Sequence, residues 1–96
     1  MAIGVIATLK VQPGKGPELE AAFERLAALV RENEQGNMFY HLCRSRTEND
    51  TYVVMEMYRD QAALEAHGKS EHFRSAGPAI GACLAGRPDI RYLDSV

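Results

Sequence analysis

Five residues in the middle of the sequence have side chains that hold or move protons. Glu56, Tyr58 and Asp60 close an apolar run, and His67 and His72 come next in a short helix-forming segment, with the aromatic Phe73 beside the second histidine. An imidazole oriented by a carboxylate, near a phenol, is the equipment of general acid–base catalysis. Each residue also has a simpler reading. Glu56 can be a structural acid bonded to an arginine or a backbone group, Tyr58 a core residue with its hydroxyl at the rim, and either histidine a surface or capping residue. His67 and His72 stand five positions apart. On one continuous helix that is about 500°, so they would not share a face. Gly68 offers a break that would re-aim them.

Other chemistry finds little support. The histidine spacing is not the His-x-x-x-His of a two-histidine clamp, His41 lies on a different element, and no acidic pattern completes a ligand set. No metal is therefore expected. No GxSxG motif marks a serine nucleophile, and Cys43 has no activating neighbour along the chain. Pro13-Gly14-Lys15-Gly16 matches no phosphate-loop spacing and reads as a turn.

The elements that must position these residues are set by periodicity. Ile3, Val5, Ala7, Leu9 and Val11 alternate with Gly4, Ile6, Thr8 and Lys10, a period-two strand with one apolar face. Pro17 suits a first helical turn, and Leu19, Phe23, Leu26 and Val30, widened by Ala22 and Leu29, make the apolar stripe of a helix reaching about Glu34. Gly36 ends it. Met38 to Ser45 is the second strand, with Met38, Tyr40 and Leu42 on one face and Phe39, His41 and Cys43 on the other. Glu48-Asn49-Asp50 is hairpin-turn chemistry, and Thr51 to Tyr58 is a strand rich in β-formers. Asp60 is placed to cap a helix from Gln61. Gly68 and Gly77-Pro78 are expected to divide the segment after Gln61 into short helical pieces, before a last strand from Ile90 to Leu93.

The order β-α-β-β-α-β is the split βαβ pattern of ferredoxin-like α+β folds: a four-stranded antiparallel sheet with its helices on one face. The other face also carries apolar residues, among them Ile6, Met55 and Met57. A second copy of the chain is the simplest cover, because a domain this small gains core by oligomerising.

Composition agrees. The chain has 96 residues, enough for one domain spanning 1–96, and 46% of them are hydrophobic, too many for a disordered chain. Eleven basic and thirteen acidic residues leave a net charge of −2 with no basic cluster, so nucleic acid is not an expected partner. No apolar run approaches the ~20 residues of a membrane helix. Met1-Ala2-Ile3-Gly4 has no basic start and no cleavage pattern. Cys43 and Cys83 lie far apart with no CxxC motif. The expectation is a cytoplasmic protein with two reduced thiols.

Glu56-x-Tyr58, then Ala62-Ala63, His67 and His72-Phe73, resembles the signature of the antibiotic biosynthesis monooxygenase family. Further matches are Pro13-Gly14-Lys15 after the first strand, Gly36 with Tyr40 leading into the second, and Gly86-x-Pro88 before the last. The resemblance covers nearly the whole chain. It implies a ferredoxin-like homodimer with a barrel-like α/β interface and a ligand cavity between each sheet and its own helices. The family includes cofactor-independent oxygenases of phenols, anthrones and quinols, haem-degrading enzymes, and an isomerase-like enzyme acting on a phosphorylated signalling sugar. Haem-degrading members carry an asparagine on the first strand, a tryptophan ending the third and a haem-ligating histidine in the next helix. Ala7, Tyr58 and about Gly77 stand at those places, and the chain has no tryptophan.

The resemblance is thus closer to the quinol monooxygenase and signalling-sugar branches, and the first of these is the reading adopted. It implies a cofactor-free monooxygenase using dioxygen on a small aromatic substrate. His67 or His72 would be the base, Glu56 the group orienting it, Tyr58 and Tyr40 hydrogen-bonding aromatics, Phe73 a substrate contact and Arg91 an offset for anionic charge. Isomerisation of a sugar-derived substrate by the same residues, and a non-catalytic small-molecule-binding dimer, remain open alternatives.

Overall fold

The alternation of β1 (Ile3–Lys10) sorts the molecule into two sides, with Val5, Ala7 and Leu9 buried against helices and Ile6 and Thr8 facing away. The computed structural model describes residues 1–96. After β1 come α1 (Gly16–Asn33), β2 (Asn37–Arg44), β3 (Thr51–Tyr58), α2 (Gln61–Lys69), α3 (Glu71–Gly81) and β4 (Asp89–Asp94). The strands form one antiparallel sheet in the order β2-β3-β1-β4. This is the expected ferredoxin-like layout, except that its second helix is two helices.

Register carries side chains across the sheet in rows. On the helix side, Tyr40, Glu56, Val5 and Tyr92 form one row, and Leu42, Val54, Ala7 and Ile90 the next. On the outer side the rows are Phe39, Met57, Gly4, Leu93 and His41, Met55, Ile6, Arg91. A register shift between Asn37 and Phe39 makes Met38 an extra, 63% exposed residue and removes it from the Tyr40 face.

The core lies between α1 and the β2-β3-β1 part of the sheet. Leu19, Phe23, Leu26, Ala27 and Val30 pack on Ala7, Leu9, Tyr40, Tyr52 and Val54, and Phe23 stacks on Tyr40 at 5.0 Å between ring centroids. Each fully buried aliphatic side chain contributes roughly 1.5–3 kcal/mol. Leu29 lies off this stripe and is exposed. Gly14 takes a positive φ of 83°, which the turn after β1 requires. Gly77-Pro78 does not break the chain, because both lie inside α3. Arg74 and Pro78 are exposed, so water can replace the backbone hydrogen bond that Pro78 cannot donate.

Candidate active site

Two helix caps set the geometry. Asp60 caps α2, its carboxylate accepting a hydrogen bond from Ala63 N at 2.8 Å. Ser70 ends α2 and starts α3: its hydroxyl donates to the His67 carbonyl at 2.7 Å and accepts from Phe73 N at 3.2 Å. The turn at Ser70 sets the helices at an angle. His67 and His72, far apart in angle on a continuous helix, converge as a result. The break lies at Ser70; Gly68 is helical.

They converge on Glu34, the residue that terminates α1. His67 Nδ1 lies 3.0 and 2.9 Å from its two carboxylate oxygens, and His72 Nε2 lies 2.5 Å from Oε2. All three side chains are largely buried, at 9% exposure for Glu34, 6% for His67 and 13% for His72. Gly36 permits the approach, since a Cβ there would stand 2.5 Å from the Ala63 side chain on α2. Glu56 is not the partner of either histidine. It accepts a hydrogen bond from the Tyr58 hydroxyl at 2.7 Å. Burial pushes the Glu56 carboxyl above its usual range, against the opposing effects of the Tyr58 hydrogen bond and His67. Burial, then the Glu56 charge, pushes the Tyr58 phenol up strongly.

A cleft of about 690 Å³ lies beside this cluster, between the sheet and α2 and α3. Val5, Ile90 and Tyr92 form its sheet wall and Leu64, His67 and Phe73 its helix wall. Glu56 stands in the floor, and Ile3, Gln61, Glu65, Gly68 and Asp94 complete the lining. The His67 ring sits 4.6 Å from Phe73 and 5.3 Å from both Tyr40 and Tyr58, centroid to centroid. With Nδ1 donating to the carboxylate, Nε2 keeps the lone pair, and that nitrogen makes no hydrogen bond within the chain. A carboxylate-held imidazole with a free nitrogen beside an apolar cleft can accept a proton from a bound acid.

The predicted residues therefore separate. His67, Phe73 and Glu56 line the cleft. Tyr58 is fully buried behind Glu56. Tyr40 is buried behind His67 and borders a smaller hollow of about 300 Å³ at the β2 edge. Burial and the charges of Glu56 and Glu34 push its phenol up. His72 touches the shared carboxylate but does not line the cleft. Arg91 is on the outer sheet face, exposed and 3.7 Å from Asp89, so it cannot offset charge in the cleft. Tyr92, its neighbour in sequence, holds the place in the cleft.

Glu34 is the residue that sequence reasoning missed. One signal was available: a carboxylate at a helix C-terminus opposes the helix dipole and needs a compensating partner. Glu34 also completes a set of groups that can hold a divalent ion, the ligand atoms of Glu34, His67 and His72 lying within 4.8 Å of one another. Here they satisfy one another as hydrogen bonds, and a cation would have to displace the imidazole protons.

The fold and cleft define a small α+β protein with an open, ligand-sized cleft beside a buried carboxylate–imidazole cluster. The sequence pattern of the family described as antibiotic biosynthesis monooxygenase matches residues 2–78. The chain belongs to that family. It is 34% identical over 68 residues to the Bacillus subtilis (strain 168) protein named "Putative monooxygenase YcnE", covering 71% of this chain and 70% of the relative. Among solved structures, a protein of Caulobacter crescentus CB15 described as "a putative antibiotic biosynthesis monooxygenase" superposes with a TM-score of 0.96 at 50% identity, over 99% of this chain and 90% of that one. PA3566 from Pseudomonas aeruginosa superposes with a TM-score of 0.85 at 32% identity, over 99% and 94%. No helix is long and apolar enough to cross a membrane.

Proposed function

We propose that the protein is a cofactor-free monooxygenase that oxidises a small phenolic, anthrone or quinol-type aromatic with dioxygen. Family membership supports monooxygenase-like or small-molecule-binding chemistry. One observation carries the finer reading: His67 is fixed by Glu34 through Nδ1 while its ring lines an apolar, aromatic-walled cleft. Nε2 takes the acidic proton of the substrate, and Glu34 stabilises the imidazolium that forms. The resulting carbanion or phenolate is electron-rich enough to reduce dioxygen itself. With an anthrone, the CH₂ becomes C=O and the second oxygen atom leaves as water, so the substrate supplies all the electrons. The protein supplies a base, an apolar stacking surface and fixed geometry.

The proposal includes a homodimer in the cytoplasm. Phe39, Met55 and Leu93 are 44%, 40% and 52% exposed on the outer sheet face, which no helix covers. A second copy meeting that face would close a barrel between two sheets. Both cysteines are free thiols, as a reducing compartment keeps them.

Oxygen consumption on a panel of hydroquinones and anthrones tests the reading. His67→Ala should lose turnover by roughly 10²–10⁴-fold, the usual worth of a general base. His72→Ala should cost less, because His72 acts only through Glu34. Unchanged turnover in His67→Ala would remove the base from this residue. Proton exchange into a substrate without oxygen uptake would assign the same residues to isomerisation.

A further inference from the structure

We infer that the cleft selects its ligand by charge, taking an uncharged aromatic and turning away anions, with Glu65 and Asp94 as the specificity-determining residues at its mouth. The inference rests on the reading of this cleft as the substrate site. Three carboxylates line it from three elements: Glu56 on β3, Glu65 on α2 and Asp94 at the end of β4. No lysine or arginine lines it. Its one basic group, His67, is already committed to Glu34. Of the basic residues next to its lining in sequence, Arg91 pairs with Asp89 on the outer sheet face, and Lys69 and Arg74 are exposed and outside the lining; Arg59, two positions from Gln61, pairs with Asp60 and borders a different hollow.

Helix N-termini are the other usual source of anion binding, through their free N–H groups. Both N-termini near the cleft already carry a side-chain cap, the Asp60 carboxylate accepting from Ala63 N in α2 and the Ser70 hydroxyl accepting from Phe73 N in α3. An entering phosphate or carboxylate would thus meet three carboxylates and no cationic side chain in the lining, with only the neutral donors Gln61 and Tyr92 to replace lost hydration. Juxtaposed like charges are among the strongest devices for rejecting a wrong ligand. Val5, Leu64, Phe73, Ile90 and Tyr92 meanwhile offer a flat apolar ligand faces to stack on. The sugar-phosphate chemistry found in one branch of the family therefore does not fit this cleft.

The test compares ligands of one shape and different charge, bound anaerobically to the full chain at low ionic strength and measured by calorimetry. The probes are 1,4-dihydroxynaphthalene, its 2-carboxylate, its 2-sulfonate and ribose 5-phosphate. The neutral parent should bind at least about tenfold tighter than either naphthalene anion, with the sugar phosphate weaker still. In the double variant Glu65→Gln/Asp94→Asn that gap should narrow by about threefold or more, because both removed charges stand at the entrance. Both residues are exposed, so the variant should fold normally, which its melting temperature checks. Anions binding as tightly as the parent, a gap unmoved by the double variant, or no binding of the parent would each overturn the inference. Oxygen uptake on the parent is scored separately. Charge discrimination without uptake keeps the inference and sinks the monooxygenase reading, and uptake without discrimination does the reverse.

Discussion

The helix-facing side of the sheet has two halves that treat the same kind of residue differently. Over β2, β3 and β1, apolar side chains are sealed by α1, with Leu19 and Val30 at 0% exposure and Leu26 at 2%. Over β4, Ile90 and Tyr92 point the same way from the same sheet and remain 47% and 63% exposed. The first half spends its hydrophobic surface on stability. The second withholds it, leaving an apolar cleft whose surface is available to a ligand. The row Tyr40, Glu56, Val5, Tyr92 crosses the boundary, running from core to binding wall without a break in register.

Paired truncations should make the largest difference between the halves. Leu26→Ala should cost about 2–5 kcal/mol of unfolding free energy, and Ile90→Ala under about 1 kcal/mol. Denaturant unfolding measures both, and equal losses would erase the distinction. Ile6→Asp probes the third apolar surface, the outer face. If a second copy covers it, the buried unpaired charge should raise the dimer dissociation constant by roughly tenfold or more, read by sedimentation. A wild type that sediments as a monomer would leave that face without its proposed partner.

Glu34→Gln acts at the boundary. Two buried imidazoles lose a charged acceptor, which should cost about 1–3 kcal/mol. The smallest effect belongs to Glu56, and its sign is fixed by linkage. Burial raises its carboxyl pKa above the ordinary 4.5, so the native state holds the proton more tightly than the unfolded chain. That stabilisation is complete below the unfolded pKa and is lost as pH rises through the folded one. Glu56→Gln, which keeps an acceptor for Tyr58, should therefore gain melting temperature relative to wild type as pH rises from 4 to 7. A constant difference across that range would mean the carboxylate is not strained by its burial.

The strands, α1, the Asp60 cap and the single-sided helix layer were all legible, because each depends on local periodicity or on one capping side chain. The site was legible only in part. His67, Phe73 and Glu56 sit on elements whose faces could be counted, and they reach the cleft. Arg91 was misplaced by a single strand position, enough to exchange it with Tyr92 across the sheet. Glu34 was hidden for a different reason. It lies 33 residues from His67 along the chain, and only the packing of α1 against α3, with the close approach at Gly36, brings them together. Periodicity within one segment holds no information about such a meeting. The turn at Ser70 was equally opaque, since attention falls on the glycines and the proline, none of which breaks a helix here.

Ser70 has a consequence for how this chain tolerates change in length. A residue inserted anywhere in the later part of α3 would displace only the chain beyond it. A residue inserted between Ser70 and His72 would turn the histidine about 100° around its helix and out of reach of Glu34. His67, on the far side of the joint, would keep its bond. The spacing of the two histidines is thus a joint's dimension, and a search for comparable pairs in other proteins should scan serine-capped helix junctions instead of helix faces.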